Sequence, residues 1–143
     1  MMPIGPLMIE HRLIERMITL LDDEAQRIRR TRKVDTVVVE TAVDFIRTYA
    51  DRTHHGKEED ILFRDLKGKK LSAGDQAMMD KLIEQHVYAR RLVGDLVAAK
   101  EDYLTGDAEA LETVLDKLDA LVRLYPGHIE TEDNPSFWPL WTI

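Results

Sequence analysis

The chain has 143 residues, of which 44% are apolar and 33% are charged, and it contains no cysteine. This length fits one domain, expected to span residues 1–143, and the absence of cysteine excludes disulfides, thiolate metal ligands and a cysteine nucleophile. The net charge of −7 argues against a nucleic-acid-binding module. The sequence has no apolar run of the roughly 20 residues that span a bilayer, and residues 1–6 do not begin a signal peptide. We therefore expect a cytoplasmic protein without membrane association.

The first helix is predicted from about residue 6 to residue 30, because Pro6 suits a first helical turn. Its apolar residues alternate at spacings of three and four, which is typical of a helix that packs against other helices. We call the residues at such positions the seam of a helix. His11 is the only polar member of this first seam. The whole seam is Leu7, His11, Ile14, Ile18, Leu21, Ala25 and Ile28.

Five cations cluster at the end of this helix. They are Arg27, Arg29, Arg30, Arg32 and Lys33. Cations are favourable near the negative end of a helix dipole, so the simpler interpretation is a stabilised helix end. The alternative is a docking patch for an acidic protein partner.

The second helix is predicted from about residue 36 to residue 67, between Asp35 as N-cap and Gly68 as the glycine that ends it. Its seam is less regular and carries two polar side chains, His54 and Glu58, that stand four residues apart on one face. The seam is Val39, Val43, Ile46, Ala50, His54, Glu58 and Ile61. His55 lies about 100° from this face, which makes it a surface residue or a neighbour of the ligands.

The third helix is predicted from about residue 73 to residue 104, with a cap near Ser72 and an end at Thr105-Gly106. Its seam alternates without a break, and His86 lies within it. The seam is Met79, Leu82, His86, Ala89, Val93, Leu96, Lys100 and Tyr103.

The fourth helix is predicted from about residue 108 to residue 133, with Asp107 as its cap. His128 and Glu132 are four residues apart and both belong to its seam. The seam is Leu111, Val114, Leu118, Leu121, Tyr125, His128 and Glu132. Pro126 is predicted to interrupt and kink the helix. The aromatic segment 136–141 is predicted to be a non-helical lid over the bundle end, or alternatively a tail that binds a partner.

Four amphipathic helices with short links predict an all-α, antiparallel up-down-up-down four-helix bundle with a short aromatic C-terminal tail. In that arrangement the early part of an odd-numbered helix lies level with the late part of an even-numbered one. The four seam histidines follow this rule, because two are early in helices one and three and two are late in helices two and four. We therefore expect them to lie at one level of the bundle.

Six polar side chains directed into an apolar interior need an explanation. A buried polar group without a partner costs roughly 1–3 kcal/mol, against a total stability of about 5–15 kcal/mol for a domain. A pair of divalent cations would satisfy all six groups. The alternative is that each histidine is a core residue with its own hydrogen bond. Imidazole and carboxylate ligands without sulfur favour iron, with manganese or zinc as alternatives.

The ordered set of these residues resembles the hemerythrin-like (HHE cation-binding) family over about residues 8–138. The motifs are His11, then His54-x-x-x-Glu58 followed by Ile61-Leu62-Phe63, then His86, then His128-x-x-x-Glu132 followed by Phe137. The resemblance implies a single hemerythrin-like domain whose metal ligands are these four histidines and two glutamates. It further implies two iron ions (Fe2+/Fe3+), bridged by both glutamates and by an oxo or hydroxo group.

The sequence departs from the family pattern at one position. Oxygen-carrying members have a fifth histidine four residues after the third-helix ligand, and here that residue is Arg90. Reversible oxygen carriage is therefore not implied, and one iron would keep an additional open position. Glu15 and Tyr125 are candidates to fill it. The alternatives are a salt bridge for Glu15, with Arg90 as its expected partner, and core packing for Tyr125.

The resemblance implies a non-haem di-iron protein that binds or senses a small oxidant or diatomic: oxygen, nitric oxide or peroxide. Two alternatives stay open. The first is a redox enzyme that uses the same centre on peroxide or nitric oxide. The second is a protein-interaction module with structural metal, which would bind a partner through the aromatic tail or the basic cluster.

Overall fold

The computed structural model describes residues 4–49 and 73–133, and within them the side chains of residues 10–49, 73–74 and 76–129. Four α-helices account for most of these residues. They are α1 (Ile4–Thr31), α2 (Thr36–Phe45), α3 (Ala73–Leu104) and α4 (Ala110–Asp133). The part of the chain that is described contains no strand, which confirms the prediction of an all-helical protein. The second half of the predicted second helix and the aromatic tail lie outside the described residues.

Two helices begin at residues that differ from the predicted ones. α1 begins at Ile4, ahead of Pro6, because the first turn of a helix does not need the N–H group that proline lacks. α4 begins at Ala110 rather than near residue 108. Asp107 caps the turn that leads into α4, since its Oδ1 accepts a hydrogen bond from the N–H of Glu109 at 3.0 Å.

Pro126 does not end α4, in agreement with the predicted range of about 108–133, and the kink predicted at this residue stays a prediction. One helix continues through this proline to Asp133. Proline removes one helical hydrogen bond, but Tyr125 and Ile129 on either side are both buried in the core. Packing of these two residues on one face explains why the helix is kept.

The connections between helices follow their local sequences. Asp35 caps α2, because its Oδ1 accepts from the N–H groups of Val37 and Val38 at 3.1 and 3.3 Å. α3 ends in a Schellman motif, in which Gly106 has φ of 101° and donates to the carbonyl of Tyr103. The N–H of the following Asp107 closes the motif on the carbonyl of Asp102.

Among the described residues, the predicted seams supply much of the buried core. In α1 the seam residues from His11 to Ile28 are all buried, and in α4 those from Leu111 to His128 are buried as well. α4 packs against both α1 and α3, and α2 contacts α3 and α1. The interior lies between these faces, so a polar seam residue has protein on most sides.

Ion pairs connect the helices near their ends. Arg29 pairs with Asp119, and Arg32 pairs with Glu112, so the end of α1 meets the first half of α4. Lys100 of α3 pairs with Glu40 of α2 at 3.1 Å. The pairs therefore place the C-terminal end of α1 beside the first half of α4, and the last turns of α3 beside α2. The up-down order of the whole bundle includes the undescribed half of the second helix and stays a prediction.

Most of the predicted basic cluster is paired within the chain. Besides the contacts of Arg29 and Arg32, Arg27 donates from Nε to Glu24 at 2.9 Å. The hydrogen bond to Glu24 is the main reason why the pKa of Arg27 is raised. No helix in the described parts of the chain is both long and apolar enough to cross a membrane.

Candidate metal centre

Three of the predicted histidine ligands are described, and all three are buried. His11 of α1 and His86 of α3 are each 1% exposed, and His128 of α4 is 3% exposed. Each lies in its seam, one or more helical turns from buried apolar residues. The heptad spacing that places leucines in the core therefore places these imidazoles there too.

Two of these imidazoles meet between helices. Nε2 of His86 lies 3.2 Å from Nε2 of His128, with ring centroids 4.8 Å apart and ring planes inclined by 55°. At this distance one nitrogen donates a hydrogen bond and the other accepts it. Two Nε2 atoms directed at one point from different helices are also the arrangement that allows both to bind one cation.

The outer nitrogen of His128 also has a defined partner. Its Nδ1 lies 2.7 Å from Oε1 of Gln85, which is the residue before His86 in α3. A carbonyl oxygen only accepts, so Nδ1 of His128 donates. Gln85 was not predicted from the sequence, because an amide is not a typical iron ligand and the residue lies off the seam. Its position next to His86, a seam histidine, is the sequence feature that could have indicated its role.

Glu10 is a second residue that the sequence analysis missed. It is only 6% exposed, although it precedes His11 and was not assigned to the seam. The signal was its spacing, since it lies three residues after Leu7 and four before Ile14. α1 therefore brings a carboxylate as well as an imidazole to its buried side.

The candidates for the additional ligand position have different environments. The Glu15 side chain is 44% exposed and forms a salt bridge with Arg12 at 3.3 Å. Glu15 thus forms a salt bridge as predicted, but its observed partner is Arg12, and the expected pair with Arg90 stays a prediction. Tyr125 is 2% exposed within the hydrophobic core, and Arg90 is exposed on α3. Of these three residues, only Tyr125 faces the interior.

The remaining predicted ligands are not placed. His54, Glu58 and the neighbouring His55 lie outside the described residues, and so does the side chain of Glu132, although its backbone belongs to α4. Within the described ranges, no group of three or more His, Asp or Glu side chains is close enough to bind one metal ion. The structure therefore brings together one pair from the predicted set.

The described residues fit a metal site in their chemistry. Three imidazoles are suitable ligands for iron, zinc or manganese, and the chain has no cysteine to supply a thiolate. The structural observation that supports a metal site here is the distance of 3.2 Å between the buried Nε2 atoms of His86 and His128. Metal-binding histidines usually donate their other N–H to an oxygen acceptor, as His128 does to Gln85.

A comparison with protein families gives an independent result. The family model described as hemerythrin HHE cation binding domain matches residues 2–137. Neither a curated protein nor a solved structure matches the chain significantly. Because the family match covers nearly the whole sequence and includes every residue of the predicted ligand set, this chain belongs to the hemerythrin HHE cation-binding family, whose domain binds metal cations, typically iron.

Proposed function

We propose that this protein binds two iron ions inside its helical bundle and uses them to bind or sense a small oxidant or diatomic such as oxygen, nitric oxide or peroxide. The observation that supports the proposal most directly is the convergence of the His86 and His128 Nε2 atoms at 3.2 Å. His11 would complete the histidines from the described helices. His54, Glu58 and Glu132 would supply the other ligands of the family motif. An oxo or hydroxo bridge between the ions belongs to the same proposal.

Bound iron would supply redox chemistry and a coordination position for the small ligand. The protein's own contribution is to bury the imidazoles, fix their directions and keep bulk water away. His86 and His128 are nearly inaccessible, and Tyr125 occupies the core one helical turn before His128. A small molecule could reach such a site more easily than a large substrate, which agrees with a diatomic or peroxide ligand.

We further infer the architecture that this function requires. The up-down-up-down bundle would bring the undescribed half of the second helix to the level of His86 and His128. The aromatic tail would cover that end of the bundle. We also infer a cytoplasmic location, where a reducing environment would keep Fe2+ available.

The decisive experiment measures metal content and the optical spectrum. Protein expressed in iron-rich medium is expected to contain about two irons per chain, as in related di-iron bundles. Air-oxidised protein is expected to show a charge-transfer band that changes on addition of azide. Elemental analysis also separates iron from manganese and zinc. Wild-type protein that carries no metal would contradict the proposal.

A matched pair of variants locates the site. His128→Ala is expected to lose most of the iron, because it removes one of the two converging nitrogens. Val87→Ala serves as the control, since Val87 follows His86 in α3 but is 58% exposed. Equal iron content in both variants would place the metal elsewhere.

A redox enzyme acting on peroxide or nitric oxide is the second candidate. The observation in its favour is Arg90, which is exposed on α3 at the position where oxygen carriers of the family have a fifth histidine. An iron-loaded protein is then expected to turn over peroxide, and His86→Ala is expected to lose this activity. Stable, reversible oxygen binding without turnover would favour a carrier or sensor.

The interaction-module alternative receives less support from the described contacts. Three of its five basic residues are paired with acids of the same chain. A partner would have to compete with these contacts.

A further inference from the structure

We propose that Gln85 is a positioning residue for the metal centre: its side-chain carbonyl holds His128 in the Nδ1–H tautomer and thereby keeps the Nε2 lone pair directed into the bundle. This inference rests on the proposed metal-binding function. It assigns a role to a residue that does not bind the metal itself.

The first supporting observation is the hydrogen bond between Gln85 and His128. Oε1 of Gln85 lies 2.7 Å from Nδ1 of His128, and a carbonyl oxygen can only accept. A neutral imidazole has one N–H, so a proton on Nδ1 leaves a lone pair on Nε2. Nε2 of His128 is the atom that faces His86.

The second supporting observation is the position of Gln85 in α3, next to His86. Gln85 and His86 are adjacent, so the backbone of one helix supplies both the group that orients His128 and the imidazole that faces it. Adjacent side chains on a helix point about 100° apart, and the two therefore contact the His128 ring from different sides. The ring of His128 is held at both nitrogens by two consecutive residues of another helix.

The two histidines are consequently not equivalent. His128 presents an acceptor at Nε2, so the 3.2 Å contact makes His86 the donor at its own Nε2. For both Nε2 atoms to bind one cation, the proton on Nε2 of His86 would have to move to its Nδ1, whereas His128 would keep its tautomer. Gln85 therefore prepares His128, and only His128, for binding.

The test compares three variants of the full chain. Gln85→Leu removes the acceptor and keeps a similar size, and Gln85→Glu keeps an acceptor oxygen. Gln76→Leu is the matched control, since Gln76 lies in the same helix and its amide donates to Oδ1 of Asp80 at 2.9 Å. Gln76 precedes His86 by more than two helical turns. Circular dichroism and thermal unfolding confirm that each variant is folded.

Nitrogen-15 NMR of the metal-free protein, recorded where imidazoles are neutral, reads the His128 tautomer directly. The His128 signals are identified by their loss in His128→Ala. Wild type, Gln85→Glu and Gln76→Leu are expected to show the Nδ1–H form, and Gln85→Leu a mixture or the Nε2–H form. An Nε2–H form in wild type, or an unchanged tautomer in Gln85→Leu, would overturn the proposal.

Competition with a chelator measures the affinity for Zn2+ and, without oxygen, for Fe2+. Gln85→Leu is expected to bind about 10–100-fold more weakly, the usual cost of losing such a partner of a ligand histidine. Gln85→Glu and Gln76→Leu are expected to stay close to wild type. Metal binding that is intact in wild type and equally tight in Gln85→Leu would refute the role of Gln85 alone. Wild-type protein that binds neither metal would refute the proposed function as well, whatever its tautomer.

Discussion

At the scale of single residues, burial of a polar seam residue has two different explanations in this protein. His86 and His128 meet each other in the interior, whereas Lys100, also in a seam, is neutralised by its own neighbours. Nζ of Lys100 lies 2.8 Å from Glu101 and 3.1 Å from Glu40, and its side chain is 9% exposed. A polar residue in a seam therefore does not by itself indicate a metal ligand. The group that it contacts shows whether it is a candidate ligand or part of an ion pair.

Lys100 gives a prediction about pH. The hydrogen bonds to Glu101 and Glu40 raise the pKa of Lys100 above its ordinary value of 10.5, although burial lowers it. The folded protein thus holds this proton more tightly than the unfolded chain. The stabilisation is fully present below pH 10.5 and is lost as the pH rises through the higher pKa of the folded state.

We expect wild type to lose stability relative to Lys100→Met only above about pH 10.5, with a constant difference between them from pH 7 to pH 9. Urea unfolding at several pH values measures this difference. Because both glutamates are more than half exposed, the effect should be small. A difference that instead changes between pH 7 and pH 9 would contradict the assignment.

At the scale of helices, the irregular spacing in the second seam has a structural counterpart. α2 is followed by one π-helical turn over residues 46–49. The seam continues from Ile46 in steps of four, where an α-helix alternates three and four. A π turn holds more residues than an α turn, so we interpret it as the adjustment that suits this spacing. Residues beyond 49 lie outside the description.

The two glycines Gly106 and Gly94 should respond in opposite directions to substitution by alanine. An added Cβ meets no atom within 4 Å at either position. Gly106, however, has φ of 101° at the end of α3, so Gly106→Ala is expected to lose about 1–2 kcal/mol. Gly94 lies inside α3, and Gly94→Ala is expected to gain about 0.5–1 kcal/mol. Chemical unfolding curves measure the change in the free energy of unfolding for both variants. Changes of the same sign would contradict the different backbone roles of the two glycines.

The cap of α2 gives a second prediction at this scale. Asp35→Ala removes the acceptor for the N–H groups of Val37 and Val38 and is expected to cost about 1 kcal/mol. Asp35→Asn keeps a side-chain oxygen and should stay within a few tenths of wild type. Thermal unfolding of both variants checks the cap. Equal losses would show that the charge rather than the hydrogen bond matters.

At the scale of the whole molecule, metal binding and stability should be coupled. The histidines come from separate helices, so a cation bound between them stabilises the packed bundle and not the unfolded chain. At a free metal concentration 100-fold above Kd, the gain is about 2.7 kcal/mol. For a domain of this size we expect Tm to rise by several degrees.

Thermal unfolding with and without Zn2+, or Fe2+ in the absence of oxygen, measures this coupling. His128→Ala should lose the increase in Tm, and Val87→Ala should keep it. The same rise in His128→Ala as in wild type would indicate binding outside the histidine pair.

Within the described residues, the sequence by itself determined where the helices lie, the cap of α2 at Asp35 and the burial of His11, His86 and His128, because these depend on heptad spacing and on groups a few residues apart. It also placed this chain in its family through the order of the motifs. The tertiary structure decided which residues touch: His86 with His128, Gln85 with His128, and Arg29 with Asp119. These pairs are 42, 43 and 90 residues apart in sequence. Their contacts depend on how each helix is rotated against its neighbours and on side-chain conformations within the packed interior, which no local pattern specifies.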